Sequence, residues 1–301
     1  MPRAEFEIAS PYDFSLSLAF SHDCRFEENA DNQSLRRMLL IDKTPVLIKI
    51  RCIEKAGSQT GMVNWKVAEG LKVPRDKVVS IARHILCADL DLNRFYKQAK
   101  KDCHLSGTIN NSIGLKPVLY SSVFESAAWA IMGQQVTVVF ASIMKKRLEQ
   151  KYGNRISQDG HSYQLFPQPE RFKRVRVEHL RKLQFSRQKA EYLLGLSRCI
   201  NENEIDLDSL KDYDYNEAVN RLLAIRGIGP WSANYILMRG AGHLNCLPVG
   251  DTGLNRALRE NYGLKRNPDN DTATKLAAPF EPYRSLFTLY MWKSLSKGDK
   301  L

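Results

Sequence analysis

The chain has 301 residues, enough for about two domains of ordinary size. Its hydrophobic content of 43% and charged content of 26% are close to the globular average, which excludes a disordered chain. Lysine and arginine outnumber aspartate and glutamate by 45 to 33, a net charge of +12. Such a surplus favours an anionic partner, most often nucleic acid, although a solubilising surface charge is the alternative.

Several classes of protein are excluded at this stage. No apolar run approaches the roughly 18 residues of a membrane span, and the first 20 residues lack the pattern of a signal peptide. The six cysteines lie more than ten residues apart, so neither a paired-cysteine zinc site nor an iron–sulfur loop is expected; they are Cys24, Cys52, Cys87, Cys103, Cys199 and Cys246. Reduced thiols indicate a cytoplasmic protein, and with the basic charge we expect it to associate with the nucleoid.

The first 90 residues are typical of a small antiparallel sheet with helices on one face. The run TPVLIKIRCIEK at 44–55 has the aliphatic and β-branched residues of a strand, and a second strand is predicted at 61–70 after the turn signal AGSQTG. The apolar segment 77–86 fits either a strand or a helix. The Gly-, Asn- and Ser-rich segment 105–117 predicts a domain boundary or a connecting loop.

From residue 118 onward the apolar residues recur with helical spacing. Ser122 and Glu125 predict a capping box that begins a helix, Gly133 interrupts this helix, and a second helix ends near Gly153. The basic stretch 171–200 continues the helical pattern, and its part from Arg171 to Lys189 is a candidate DNA contact or a solvated helix face. The predicted fold class is therefore α+β, with a sheet domain over 1–90 and an all-helical core over 91–301.

The segment LLAIRGIGPWSANYILMRG at 222–240 predicts two helices joined by a tight turn. Glycines at 227 and 229 permit positive φ angles and leave the backbone uncovered. Amides at the start of the second helix have no intrahelical partners, so those of Gly227, Ile228 and Gly229 form a candidate phosphate site. An ordinary helical hairpin with a glycine-rich corner is the alternative.

Two further segments carry candidate functional residues. Asp251 lies about twenty residues after the hairpin glycines and just before a helix, where aspartate is also a favoured N-cap. The cap and a catalytic role are compatible, because a carboxylate fixed at a helix start can point into an adjacent cleft. Gln134 and Gln135 lie at the predicted break between two helices, where they either solvate the kink or form a polar tip that enters a duplex.

These segments together resemble the helix-hairpin-helix DNA glycosylase superfamily, and within it the bacterial DNA-3-methyladenine glycosylase II type. The motifs IMGQQVT, IRGIGPWSANYILMRG, the Asp251 segment and EPYRSLFTLYMW follow the order and spacing of the family. The likeness covers residues 118–296, and more faintly 11–20. It implies a helix-hairpin-helix at about 216–240 and a cleft into which the damaged base is flipped.

The resemblance also implies a role for individual residues. Asp251 matches the catalytic aspartate, and Gln135 matches the residue that fills the gap left by the flipped base. The base pocket is implied at Trp231, Tyr235, Trp292 and Phe20, although these aromatics also suit a core, Phe20 above all. The carbonyls that match a monovalent-cation site belong to Leu223, Ile225 and Ile228, and no other cofactor is implied.

The departures from the family pattern refine the expected activity. Bifunctional members place a lysine nucleophile at the position of Trp231, so the resemblance implies a monofunctional enzyme here. Thr252 and Lys293 replace tyrosines of the methyladenine type, which makes the pocket less aromatic. We expect a monomer that acts on double-stranded DNA containing damaged bases and removes alkylated purines, 3-methyladenine first. An oxidised-purine glycosylase and a non-enzymatic helix-hairpin-helix DNA-binding protein are the alternatives.

Overall fold

A computed structural model of the chain describes residues 1–21, 33–55, 58–68, 70–158 and 161–296. Its N-terminal part contains an antiparallel sheet with the strand order β1-β4-β3-β2, whose strands are β1 (Arg3–Glu7), β2 (Leu35–Ile41), β3 (Thr44–Lys55) and β4 (Ser58–Val67). The strand predicted at 44–55 is confirmed, and the next strand begins at 58 rather than at 61. Cys24 lies outside the described residues.

One face of this sheet is covered by helix α2 (Arg75–Ile85), while α1 (Phe14–Phe20) joins the same hydrophobic cluster. Ile48 and Ile50 of β3 are fully buried against Val78 and Ala82 of α2. The segment that fitted either a strand or a helix is therefore a helix, because its buried residues recur every three or four positions rather than every two.

The rest of the chain is mainly helical, so the α+β class is confirmed. Its helices are α3 (Leu92–Ala99), α4 (Cys103–Asn110), α5 (Val123–Gly133), α6 (Val138–Tyr152), α7 (Val177–Arg181), α8 (Arg187–Asn201), α9 (Tyr215–Leu223), α10 (Pro230–Ile236), α11 (Thr252–Asn261), α12 (Asn270–Ala277) and α13 (Arg284–Ser294). Within the described ranges, no helix is both long and apolar enough to cross a bilayer.

The helical part also contains a strand pair that the sequence pattern did not predict. Strands β5 (Arg155–Gln158) and β6 (His161–Gln164) form an antiparallel hairpin, so this part of the chain is not entirely helical. Leu165, which follows β6, packs with Met38 and Leu47 on the four-stranded sheet. The strands are too short for their periodicity to be recognised, and this packing against the sheet stabilises them.

The predicted connecting loop at 105–117 is wrong in its first half. Asp102 accepts hydrogen bonds from the amides of His104 and Leu105 and caps α4, which continues to Asn110. Beyond it Lys116 is 1% exposed and its Nζ donates to the carbonyl of Ala9 at 2.7 Å. Burial lowers the pKa of this lysine to about 8. The segment therefore joins the sheet to the helices through buried contacts.

Candidate active site

The two hairpin helices, α9 and α10, enclose a turn whose shape depends on one glycine. Gly227 has a φ of 95°, in the left-handed region that glycine favours. A Cβ atom added at this position would lie 2.2 Å from the Cγ atom of Tyr192 on α8. The turn therefore requires glycine both for its backbone conformation and for its packing against the Tyr192 ring, a contact that the sequence did not reveal.

The amides of this turn differ in their partners. The Ile228 amide donates to the Ile225 carbonyl at 3.1 Å, so it already closes the turn. The Gly227 and Gly229 amides have no hydrogen-bond partner among the described residues. Ile225 and Ile228 are buried and anchor the turn, whereas Leu223 is 40% exposed at the end of α9. Two backbone N–H groups are thus available to an anion at the start of α10.

Asp251 is both a helix cap and the centre of a polar cluster. Its Oδ1 accepts from the Leu254 amide at 2.7 Å, which caps α11. The indole Nε1 of Trp292 donates to the same oxygen at 2.9 Å, and that of Trp231 donates to Oδ2 at 3.0 Å. A carboxylate offers about four acceptor positions, so Oδ2 retains one for a further ligand. The three N–H dipoles stabilise a negative charge that is half-buried here.

The aromatic residues predicted for the pocket lie together beside this carboxylate. The rings of Trp231 and Tyr235 are stacked with 5.4 Å between their centres, and the ring centres of Trp292 and Tyr235 are 6.5 Å apart. Tyr235 is 6% exposed, whereas both indoles are half-buried. A Cβ atom at Gly253 would lie 3.4 Å from the Trp292 Nε1, so glycine there leaves room for the indole. The two tryptophans thus bind the carboxylate and present aromatic surface next to it.

Phe20 reaches this region from the N-terminal part of the chain. It is the last residue of α1 and is half-buried. Lys293 follows Trp292 on α13, and its Nζ lies 5.4 Å from the centre of the Phe20 ring, a cation–π geometry. Thr252 is exposed to solvent. Of the two departures from the family's tyrosines, Lys293 thus contacts the predicted pocket residue Phe20.

The two glutamines after α5 have different environments. The Nε2 of Gln134 donates to the Gly227 carbonyl at 2.9 Å and to the Ser232 hydroxyl at 3.2 Å, so this residue ties the turn after α5 to the hairpin. Gln135 is exposed and has a φ of 55°. A left-handed conformation costs a residue with a side chain about 1 kcal/mol, so the surrounding fold imposes it. The strained, exposed residue is the one predicted to enter the duplex.

Lys189 does not lie on a solvated helix face, one of the two roles considered for its stretch. It is 9% exposed, and its Nζ donates to the Met132 carbonyl at 2.7 Å, in the last turn of α5. A lysine there complements the negative end of the helix dipole. Burial lowers its pKa. Lys189 therefore supports the turn that carries Gln135.

Comparison with known proteins places this arrangement in a family. Residues 128–282, just over half of the chain, match the family model of the HhH-GPD superfamily base excision DNA repair protein. The chain belongs to the HhH-GPD superfamily. The matched range includes the hairpin, Trp231 and Asp251, while Phe20 and Trp292 lie outside it. No group of three or more His, Cys, Asp or Glu side chains suited to a metal ion occurs in the parts of the chain that the structure describes.

Individual known proteins are similar over nearly the whole chain. The DNA-3-methyladenine glycosylase of Bacillus subtilis is 27% identical over 94% of this chain and 94% of its own. The 3-methyladenine DNA-glycosylase of Archaeoglobus fulgidus has the same fold, with a TM-score of 0.81, 23% identity and 97% of each chain covered. An 8-oxoguanine glycosylase/lyase of Clostridium acetobutylicum shares the fold at a TM-score of 0.72 and 15% identity, covering 100% of this chain and 99% of its own.

Proposed function

We propose that the protein is a monofunctional DNA glycosylase of base excision repair that hydrolyses the N-glycosidic bond of alkylated purines, 3-methyladenine first. The observation that carries this proposal is the Asp251 carboxylate, oriented by two indole donors, one of which, Trp231, lies two residues after Gly229 of the hairpin turn. The similarity to proteins named 3-methyladenine glycosylases supports the substrate class. We expect the enzyme to act as a monomer on the DNA of the cytoplasmic nucleoid.

The chemistry follows from the position of the free acceptor site on Asp251. Cleavage of an N-glycosidic bond builds positive charge on the sugar, and a carboxylate beside it stabilises that charge. The Oδ2 atom, which has one donor, Trp231 Nε1, retains an acceptor position with which to face the sugar or orient a water molecule. An alkylated purine is already cationic and leaves without a second acid. The faces of Trp231, Tyr235 and Trp292 suit such a cation.

The hairpin supplies DNA binding in this proposal. The Gly227 and Gly229 amides would hold a phosphate near the lesion, and this grip on the backbone is independent of base sequence. The Ile228 amide is already occupied by Ile225, so we assign it a part in shaping the turn. Double-stranded DNA with a damaged base is the proposed partner, and the net charge of +12 favours it electrostatically.

A monovalent cation at the hairpin is part of the same proposal. The carbonyls of Leu223, at the end of α9, and of Ile228 accept no hydrogen bond within the described part of the chain, and oxygen ligands of this kind suit hard cations. The Ile225 carbonyl accepts one hydrogen bond and keeps a second lone pair, and the Leu223 and Ile228 carbonyls would complete the ligand set. A cation there would add positive charge beside the phosphate. Weaker DNA binding when potassium is replaced by tetramethylammonium at equal ionic strength would support this site.

The decisive test of the function is the release of free bases. Duplexes containing 3-methyladenine, 7-methylguanine or 8-oxoguanine are incubated with the protein, and the released bases are separated by chromatography. We expect release of methylated purines and none of 8-oxoguanine. Preferential release of 8-oxoguanine would support the oxidised-purine alternative. Tight DNA binding without release of any base would support the non-enzymatic alternative.

Borohydride trapping tests the absence of lyase activity. Strand cleavage through an imine requires an amine at the sugar, and the Trp231 indole nitrogen is a donor to Asp251 with no nucleophilic character. We therefore expect an intact strand with an abasic site and no covalent protein–DNA complex after borohydride treatment. Efficient trapping that is lost in Lys293→Ala would contradict this prediction, because Lys293 is the amine adjacent to Trp292.

Gln135→Ala tests the proposed filling of the gap in the duplex. We expect affinity for a lesion in duplex DNA to fall about tenfold, while affinity for the same lesion in a single strand changes little, because only a duplex must be held open. Gln150→Ala, an exposed glutamine of α6, is the matched control. Equal losses on both substrates would show that Gln135 only shapes the turn. Fluorescence anisotropy with labelled oligonucleotides measures both affinities.

A further inference from the structure

The segment that presents Asp251 has no regular secondary structure and is fastened from two sides. On the α13 side, the Ser285 hydroxyl accepts from the Cys246 amide at 3.0 Å and donates to the His243 carbonyl at 2.7 Å. On the hairpin side, the Oδ1 of Asn234 accepts from the Leu247 amide at 2.9 Å. The helices α10 and α13, which carry Trp231 and Trp292, thus also provide the side chains that hold the segment 243–251.

Asn234 uses nearly all of its hydrogen-bonding capacity in this position. Its Oδ1 also accepts from the Tyr215 hydroxyl at 2.8 Å, and its Nδ2 donates to the Pro230 carbonyl at 2.9 Å. Asn234 is 5% exposed and Leu247 is 4% exposed. Removal of this side chain would leave the Leu247 amide buried without a partner, which costs about 1–3 kcal/mol.

The residues joined by Asn234 belong to three different parts of the site. Tyr215 begins the first hairpin helix, Pro230 begins the second, and Leu247 lies four residues before Asp251. We propose that Asn234 is a positioning residue that sets the catalytic carboxylate of Asp251 at a fixed distance from the hairpin amides. This inference rests on the proposed function, in which the hairpin holds a phosphate beside the sugar that Asp251 faces.

The position of Asp251 relative to the hairpin matters because different segments of the chain would hold the phosphate and the sugar of the reacting nucleotide. The phosphate would be bound at the turn 227–229, and the sugar would be stabilised by a residue about twenty positions later. Displacement of a reacting group by 1 Å can cost about 10²-fold in rate. The buried side-chain amide of Asn234 bonds to both hairpin helices and to the Asp251 segment. It therefore restricts movement of Asp251 relative to the hairpin turn, and it does so without contacting DNA.

Asn234→Ala tests the inference by separating chemistry from binding. We expect the single-turnover excision rate to fall about 10²-fold, while affinity for an abasic duplex stays within about threefold of the original value. Asn201→Ala is the matched control. That partly buried asparagine donates to the Pro169 carbonyl at 2.9 Å and to the Ser197 carbonyl at 2.7 Å, and neither bond joins the hairpin to the Asp251 segment. We expect this control to keep its excision rate. Unchanged excision in Asn234→Ala would overturn the inference.

A double-mutant cycle distinguishes positioning from a general loss of folded protein. If Asn234 acts through Asp251, Asn234→Ala should have almost no further effect in the Asp251→Asn background, measured per DNA-binding-competent molecule. Independent, multiplicative losses would show that the role is merely structural and would overturn the inference.

Tyr215→Phe keeps the inference testable if Asn234→Ala fails to fold. It preserves the ring and removes only one of the two bonds to Oδ1, so we expect about a fivefold loss of excision rate with unchanged affinity. No loss in Tyr215→Phe would contradict the proposed positioning. Failure of the proposed function gives a different result from failure of this inference. If the unmodified protein released no base, the proposed function would fail. If the unmodified protein and the Asn234 and Tyr215 variants all released bases at the same rate, only the positioning role would fail.

Discussion

Asp251→Asn is expected to lower the excision rate constant by about 10³-fold, the size of effect seen when one electrostatic contact to a transition state is removed. Asparagine has a similar shape and still accepts from the Leu254 amide, but it carries no charge to stabilise the sugar cation. With the amide oxygen kept at the Oδ1 position, its NH₂ group would face the Trp231 indole donor in place of the acceptor oxygen Oδ2. DNA affinity should hold or increase, because repulsion between the carboxylate and phosphate disappears. Single-turnover assays and anisotropy measure the two quantities separately.

Asp269→Asn provides the matched control for the capping role. Asp269 caps α12 by accepting from the Thr272 amide at 2.8 Å and lies at an exposed helix start. The same replacement there should leave excision unchanged, with at most about 1 kcal/mol lost from the free energy of unfolding. An Asp251→Asn variant with full activity would show that Asp251 is only a helix cap and would remove its assignment as the catalytic residue.

Gly227→Ala is expected to have the second large effect, on both stability and DNA binding. The added methyl group would meet the Tyr192 ring at 2.2 Å, and the φ of 95° is unfavourable for alanine. Overpacking of this kind costs about 1–3 kcal/mol, and the backbone conformation adds about 1 kcal/mol. The turn must shift to relieve the contact, so the amides lose their orientation, and we expect affinity for DNA to fall by about 10-fold or more.

Gly229→Ala separates these contributions. A Cβ atom at this position has no neighbour within 4 Å, and its φ of −93° is accessible to alanine. The free energy of unfolding should therefore stay close to the original value, and any loss of affinity would come from the methyl group obstructing the phosphate. Urea unfolding and anisotropy at fixed salt check both variants. Equal unfolding free energies for Gly227→Ala and the unmodified protein would contradict the proposed packing constraint.

Features that depend on neighbours along the chain were accessible from the sequence. The strand at 44–55 follows from its aliphatic and β-branched run, and the cap at Ser122 follows from residues three positions apart. The cap at Asp251 and the left-handed Gly227 are similarly local. The α+β class followed from the change in apolar periodicity near residue 118. The assignment of pocket residues depended on resemblance to a family and not on these local rules.

Only the tertiary structure decided how these pieces work together. The indoles that orient Asp251 come from positions 20 and 41 residues away, and no local pattern predicts that both N–H groups meet one carboxylate. The same holds for the contact of Gln134 with the hairpin, for buried Lys189 and for the links made by Asn234. Caps and turns arise from short-range sterics and hydrogen bonds that the sequence alone determines. The site itself depends on which distant side chains the packed core brings together, and that outcome is set by the whole fold.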